Sequence, residues 1–411
     1  MTQEQRFGGL RLVAMLGPGL AIAATGVGAG DMVAAAVAGS RYGLAVVWAA
    51  IVGAALKLAL NEGLARWQLA TGTTLLEGWV EHLGAWVRYV FLVYLVVWSF
   101  VVGGALISAC GLAAHALAPR FTVAFWGVVH SLVAAALVLL GGYHRFERVM
   151  KWLIGGMFVA LIGCALWSSD AATAVEVVRR SSVPEGSILY LFGMIGGVGG
   201  SVTLLSYGYW MQEKGWDSPR WLSVVRFDLS VAYVLTGMFG VAVVVLASAT
   251  LHGSGTEIAG NRAVLQMAAM LGEQLGVAGR WMFLLGFWAA VATSMLGVWQ
   301  GVPYLFCDFV RSLKRSRDPV DERSASYRWF LAWLAVPPLL MLAIDRPVGV
   351  VIAYSVLGAL FMPFLAGTLL VLGSRPALVG RKLANRWWSK ASLVACLVLF
   401  LTLAVVKVVA L

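Results

Sequence analysis

The sequence predicts an all-α polytopic membrane protein with eleven transmembrane helices. Ten of them form two inverted five-helix repeats whose opening helices, one and six, are broken. Three observations predict this. Of the 411 residues, 61% are hydrophobic and 12% charged, whereas a soluble chain carries roughly 25% charged residues. The apolar residues fall in runs of about 20, the length that crosses a bilayer as a helix. Two of these runs contain glycine clusters, TGVGAGD at 25–31 and GGVGGS at 196–201, and each opens a group of five spans.

In order, the spans are expected at 12–38, 44–65, 87–117, 123–140, 149–167, 188–211, 229–251, 281–309, 329–344, 348–372 and 391–411. The first holds one glycine cluster. The second carries Lys57 and Glu62, and the third contains no Asp or Glu. The fourth contains His130, best read as a satisfied core residue. The sixth holds the second cluster, with Ser201 and Thr203 facing the first break if the helix is interrupted there. The eighth, whose Thr293, Ser294 and Gln300 are candidates to line a cavity, begins at 281 or earlier, within an amphipathic lead-in at 261–275. Five is an odd number, so the second group enters from the opposite face. The expected units are residues 1–182, an inverted 183–375, and an appended helix within 376–411. The charged linker at 311–328 is assigned no fold.

Charge sets the expected orientation. Of 30 Lys and Arg residues, 21 fall in the N-terminal segment and the loops on its side, seven on the other side, and Lys57 and Lys407 within spans. The positive-inside rule places the N-terminus in the cytoplasm and the C-terminus outside a plasma (inner) membrane. The net charge of +11 is this topological signal, and no nucleic-acid partner is expected. Residues 1–11 are polar and lead straight into a full span, so no cleavable signal peptide is expected. Cys110, Cys164, Cys307 and Cys396 form no CxxC pair and read as packing residues.

The glycine clusters carry the functional reading. Gly26, Gly28 and Gly30 each cost a helix about 1 kcal/mol against Ala, and together they unwind it. Backbone freed at membrane depth is tolerated only where protein or a wet cavity satisfies it. Asp31 follows directly, and an intramembrane carboxylate is a functional candidate by default; it can also cap the second half-helix. The candidate substrate site is therefore Gly28, Ala29, Gly30 and Asp31 with Gly196, Gly199, Gly200 and Ser201. Tyr207 is the preferred wall residue, and Asp31 the one metal ligand. Glycines that merely allow close helix packing are the plainer alternative. Lys57 and Glu62 are read as a pair, with a role in gating or coupling as the alternative, and Asp228 as marking a helix entry.

Several stretches resemble the Nramp divalent-metal transporters: GPG…GAGD…AGSRYG at 17–43, ARWQLATG at 65–72, RFERV at 145–149, PEGS at 184–187 and Met362-Pro363-Phe364. The resemblance covers most of the chain and implies the LeuT-type fold and a divalent cation substrate. Its metal ligands are not preserved. Where that family has Asp-Pro-Gly-Asn, this chain has Gly28-Ala29-Gly30-Asp31. Its Met-Pro-His aligns with Gly199, Gly200 and Ser201, a later His with Ser206, and its two helix-ten Gln with Ser355 and Phe361. Losing the thioether favours hard, oxygen-bound or partly hydrated ions such as Mg²⁺ or Mn²⁺. Losing the His and the helix-three acids removes the usual proton route. A small organic solute, held by amides at the helix breaks, is the alternative substrate. A non-transporting receptor or scaffold is the alternative of another class. Nothing resembles GxxxxGK(S/T), HExxH or a nucleophile with a His–acid pair, so neither enzyme activity nor a cofactor is expected.

Overall fold

The computed structural model describes residues 16–168, 179, 181–197, 200–253, 262–314, 320–343 and 347–409. Every regular element among them is helical. The first span is two short helices, α1 (Pro18–Gly26) and α2 (Ala29–Tyr42). Then come α3 (Val47–Thr71), α4 (Leu75–Leu83), α5 (Trp86–Leu117) and α6 (Val123–Trp167). The sixth span is again divided, into α7 (Ile188–Gly197), a 3₁₀ turn Val202–Leu205 and α8 (Ser206–Glu213). The remainder is α9 (Leu222–Leu251), α10 (Arg262–Lys314), α11 (Ala325–Ala335), α12 (Pro347–Leu372), the short α13 (Pro376–Val379) and α14 (Trp387–Val409). Among the described residues, six helical stretches are long and apolar enough to cross a membrane, and Leu360–Leu372 and Trp387–Thr402 are shorter apolar helices.

One predicted boundary differs. The fourth and fifth spans are joined in α6, and the chain turns at Gly142, whose φ of 59° only glycine adopts readily. The eighth span begins before 281, as the amphipathic lead-in suggested: α10 runs from Arg262 and is bent at Gly276 with φ 71°. Helical hydrogen bonding extends up to both glycines, so loops expected from charge alone shrink to single-residue corners.

The packing interleaves the halves. The pair α1–α2, from the first half, lies against α9 and α10 from the second; α7 packs on α2 and α3. Each broken helix is thus enclosed by the other half of the chain. Small residues permit the approach: a Cβ on Gly39 would stand 2.7 Å from Val244 O, and one on Gly111 2.3 Å from Val123 O. His130 is the satisfied core residue expected, its Nε2 accepting from Trp288 Nε1 at 2.8 Å and its Nδ1 2.7 Å from Trp126 O. All four cysteines are buried and free. Large apolar side chains point outward instead; Leu140, Trp152 and Trp387 are 79–80% exposed. Such a surface suits hydrocarbon, not water.

The α5–α6 contact offers a direct test. In Gly111→Ala the new methyl would meet backbone, Val123 O and Gly127 N, which can yield only by parting the helices. A loss of about 1–3 kcal/mol is expected, read as a lower Tm of the purified protein. An unchanged melt would show that the two helices separate at no cost.

Candidate functional site

Helix α1 ends at Gly26, and Val27 (φ −105°, ψ 82°) and Gly28 (φ −113°, ψ −174°) are non-helical before α2 begins at Ala29. The break strands carbonyls at the end of α1 and amides at the start of α2. α10 supplies the donors: Ser294 Oγ donates to Thr25 O at 2.6 Å and Thr293 Oγ1 to Ala24 O at 3.3 Å. Asp31 supplies an acceptor, since Gly28 N–H donates to its Oδ2 at 2.9 Å. The close approach needs glycine on both sides. A Cβ on Gly28 would stand 2.7 Å from Ser294 Oγ, and one on Gly297 would fall 1.7 Å from Thr25 Oγ1.

The second break follows α7. Gly200 has φ +84°, in the left-handed region, and the chain tightens into Val202–Leu205 before α8. The two breaks meet: a Cβ on Gly200 would lie 3.5 Å from Gly26 Cα. Between them is a cavity of about 30 Å³, room for one or two water-sized bodies. Its polar lining is the hydroxyl residues Thr25, Ser201, Thr203 and Ser294 with Gly28, Gly30 and Gly200, facing an apolar wall from α5 that includes Trp98, Val102 and Leu106. Ser201 Oγ and Thr203 Oγ1 are buried and have no hydrogen-bond partner among the described residues. Buried hydroxyls left so are expected to meet a water or a ligand.

Of the residues expected at the site, Gly28, Gly30, Gly200 and Ser201 line the cavity. Ala29 opens α2 and Gly196 lies in the last turn of α7. Gly199 lies outside the described residues. Asp31, 7% exposed, caps α2 beside the cavity without being part of its lining. Tyr207 is not at the cavity; it is fully buried, and its hydroxyl donates to Asp228 Oδ2 at 3.0 Å. It stands on the first turns of α8, beyond the unwound segment, which carries it past the break.

Two charged residues acquire roles that the sequence reading did not give them. Lys57 and Glu62 do not pair: five residues apart on a helix they point about 140° from one another. Lys57 Nζ donates to Gly200 O, whereas Glu62 holds Arg226 at 2.8 Å and Arg66 at 3.4 Å. Asp228 is more than a helix entry. It is 1% exposed and accepts from Gly17 N–H at 3.2 Å, Gly19 N–H at 2.6 Å and the Tyr207 hydroxyl. One carboxylate of α9 thus caps α1 and holds α8. The rule that singled out Asp31, a carboxylate inside an apolar run, missed Asp228 because it stands one residue before the expected seventh span, close to Arg226.

Two discontinuous helices meeting at a small oxygen-lined cavity inside an apolar bundle define a membrane protein of the secondary-transporter class. A family model described as "Natural resistance-associated macrophage protein-like" matches residues 19–410, and the chain belongs to that Nramp family. It is 24% identical over 322 residues to the divalent metal cation transporter MntH of Verminephrobacter eiseniae, covering 73% of this chain and 70% of that one. It is 20% identical over 273 residues to an uncharacterised protein of Pasteurella multocida; the match covers 64% of this chain and 63% of that protein's length. Crystal structures of the Eremococcus coleocola manganese transporter superpose with TM-scores of 0.78 and 0.79 at 14% identity. They cover 96% and 99% of this chain and 86% and 88% of theirs. The fold is that of these transporters, the LeuT-type arrangement expected from the broken helices.

Asp228→Ala strands two amides and a hydroxyl in a buried position, and a loss of at least about 2 kcal/mol is expected. Asp228→Asn should recover only part, because its amide nitrogen cannot accept from Gly17 or Gly19. Thermal melts of the two variants beside Tyr207→Phe, expected to be the mildest, check the order.

Proposed function

We propose that the protein is a secondary transporter that carries a divalent metal cation across the membrane by alternating access around the two helix breaks. The observation that carries this reading is the cavity between Gly28 and Gly200. It is too small for an amino acid, and its polar wall offers hydroxyl and backbone oxygens with no sulfur or imidazole. Oxygen donors suit hard cations, Mg²⁺ or Mn²⁺, and the scarcity of charge suits an ion that keeps part of its water. The names borne by the MntH relative and the Eremococcus transporter support the same substrate class. An organic carboxylate is less well provided for, because the Gly28 amide that would hold it is already bound to Asp31.

In this reading Asp31 caps α2 through one oxygen and presents the other to the cation, with Gly28, Ala29, Gly30, Gly196, Gly199, Gly200 and Ser201 forming the backbone cradle. Residues 1–182 and 183–375 are the two inverted repeats, and 376–411 adds the last helix. The N-terminus is cytoplasmic. Transport does not use the family's usual proton relay: α5 carries no acid, and Ser201 and Ser206 stand where histidines would relay, with hydroxyls that do not titrate near neutral pH.

Uptake into proteoliposomes tests the reading. Wild type should take up Mn²⁺, with Mg²⁺ competing well and Cd²⁺ enjoying no strong preference. Asp31→Ala should abolish uptake while the protein remains monodisperse. Full uptake by Asp31→Ala would reduce Asp31 to a helix cap, and a strong preference for Cd²⁺ over Mg²⁺ would overturn the hard-ion assignment. In the same vesicles an internal pH dye should record no acidification accompanying uptake. Acidification that persists in Asp31→Asn would reveal a relay elsewhere.

A further inference from the structure

Lys57 lies in the interior of α3, with no exposed surface. A lysine at membrane depth is costly unless its ammonium is matched by compensating groups. The compensation here comes from the transport site itself. Nζ donates to the Gly200 carbonyl, the backbone oxygen freed by the second break, and the Lys57 and Asp31 charges interact electrostatically. The third partner is the ring of Phe400, with Nζ 5.4 Å from its centroid. On the same α14 face Cys396 donates to Leu56 O at 3.4 Å, closing the helix over the lysine stem. Glu62, the acid nearest along α3, is engaged by Arg66 and Arg226.

We propose that Lys57 is a tethered cation that sets the charge selectivity of the site. The proposal rests on the metal-transport reading and adds a specificity-determining residue to it. The ammonium occupies one group an incoming ion needs, the Gly200 carbonyl, and its charge acts across the site on the Asp31 carboxylate. Binding is therefore an exchange of one cation for another. A monovalent ion that displaces the ammonium brings no additional charge to Asp31, and it competes with a group held at high effective concentration by its own side chain. A divalent ion brings twice the charge and gains from the exchange. Abundant Na⁺ and K⁺ are thereby refused by a site that lacks the ligand set to reject them by geometry, and divalent affinity is kept modest.

The test is equilibrium binding of Mn²⁺ to the full-length purified protein, read by the loss of its free EPR signal, with and without 150 mM KCl or NaCl. Lys57→Met removes the charge at nearly constant volume. Lys57→Gln also removes it, but keeps a donor for Gly200 O and so serves if Lys57→Met fails to fold. Either variant should bind Mn²⁺ at least tenfold more tightly than wild type in the absence of added salt. In either variant K⁺ or Na⁺ should displace the bound ion beyond the effect of equal ionic strength from a bulky organic cation. Wild type should show no such specific displacement. Lys57→Arg, which keeps the charge, should show neither change. Disturbed packing lowers affinity; removing a competing cation raises it, so the direction separates the two. A folded Lys57→Gln protein that binds Mn²⁺ no more tightly than wild type overturns the proposal, as does tighter binding without monovalent displacement. Wild-type Mn²⁺ flux, measured separately, decides the transport reading, so the two can fail independently.

Discussion

A hydrogen-bonding backbone group at membrane depth must find its partner inside the protein, and the two broken helices make that demand twice. Each break strands carbonyls on one side and amides on the other. The partners are few and local. Ser294 and Thr293 serve the carbonyls of α1, Asp31 serves the first amide of α2, and Lys57 serves the Gly200 carbonyl. Three of these come from α10 and α3, which must approach closely; hence Gly297 stands where any side chain would collide with Thr25. The hydroxyls at 293 and 294 and the glycine at 297 form one patch of α10 that meets Ala24 and Thr25 of the broken helix.

The remaining charge is sorted by depth. Asp308 of α10 accepts from Thr74 Oγ1 at 2.6 Å, Tyr209 OH at 2.7 Å and Arg311 at 2.6 Å, and Arg311 reaches Glu77 at 2.9 Å. Glu147 holds Lys214 at 2.7 Å and Lys151 at 2.8 Å. Arg66 bonds Asn385 and Ser389, tying α3 to the start of α14. These networks lie away from the cavity, and each joins segments that are distant in sequence. At the breaks only Asp31 and Lys57 carry charge among the described residues, so the centre is held by one carboxylate, one ammonium and several hydroxyls.

Periodicity and glycine clustering made the fold legible. The runs of apolar residues gave the helices, and the two clusters gave the breaks at Gly28 and Gly200, because no other residue type unwinds a buried helix so cheaply. Where loops were expected near 142 and 276, single glycines turn the chain, and composition does not distinguish a corner from a loop. Half the cavity was legible for the same reason as the breaks: its backbone members are glycines. Of the hydroxyl members, Thr203 and Ser294 were candidates and Thr25 was not, since serine and threonine are common between packed helices and only the three-dimensional accounting shows which of them face a gap. Tyr207 follows the unwound segment, and its hydroxyl turns to Asp228 rather than to the cavity lining. Lys57 and Glu62 looked like partners because they are near in sequence; helical phase sends them to different neighbours.

The Asp228 carboxylate has a mechanical consequence. It is attached to α9, yet its two oxygens grip the leading amides of α1 and the hydroxyl of α8. These are one half of each broken helix, on the same side of the breaks. Neither can tilt away from α9 without parting charge-assisted hydrogen bonds in a dry setting, where they are strong. The less costly displacement carries all three segments together. The three segments are thus one unit pinned by a single side chain, and the glycine-rich breaks bound it on two sides.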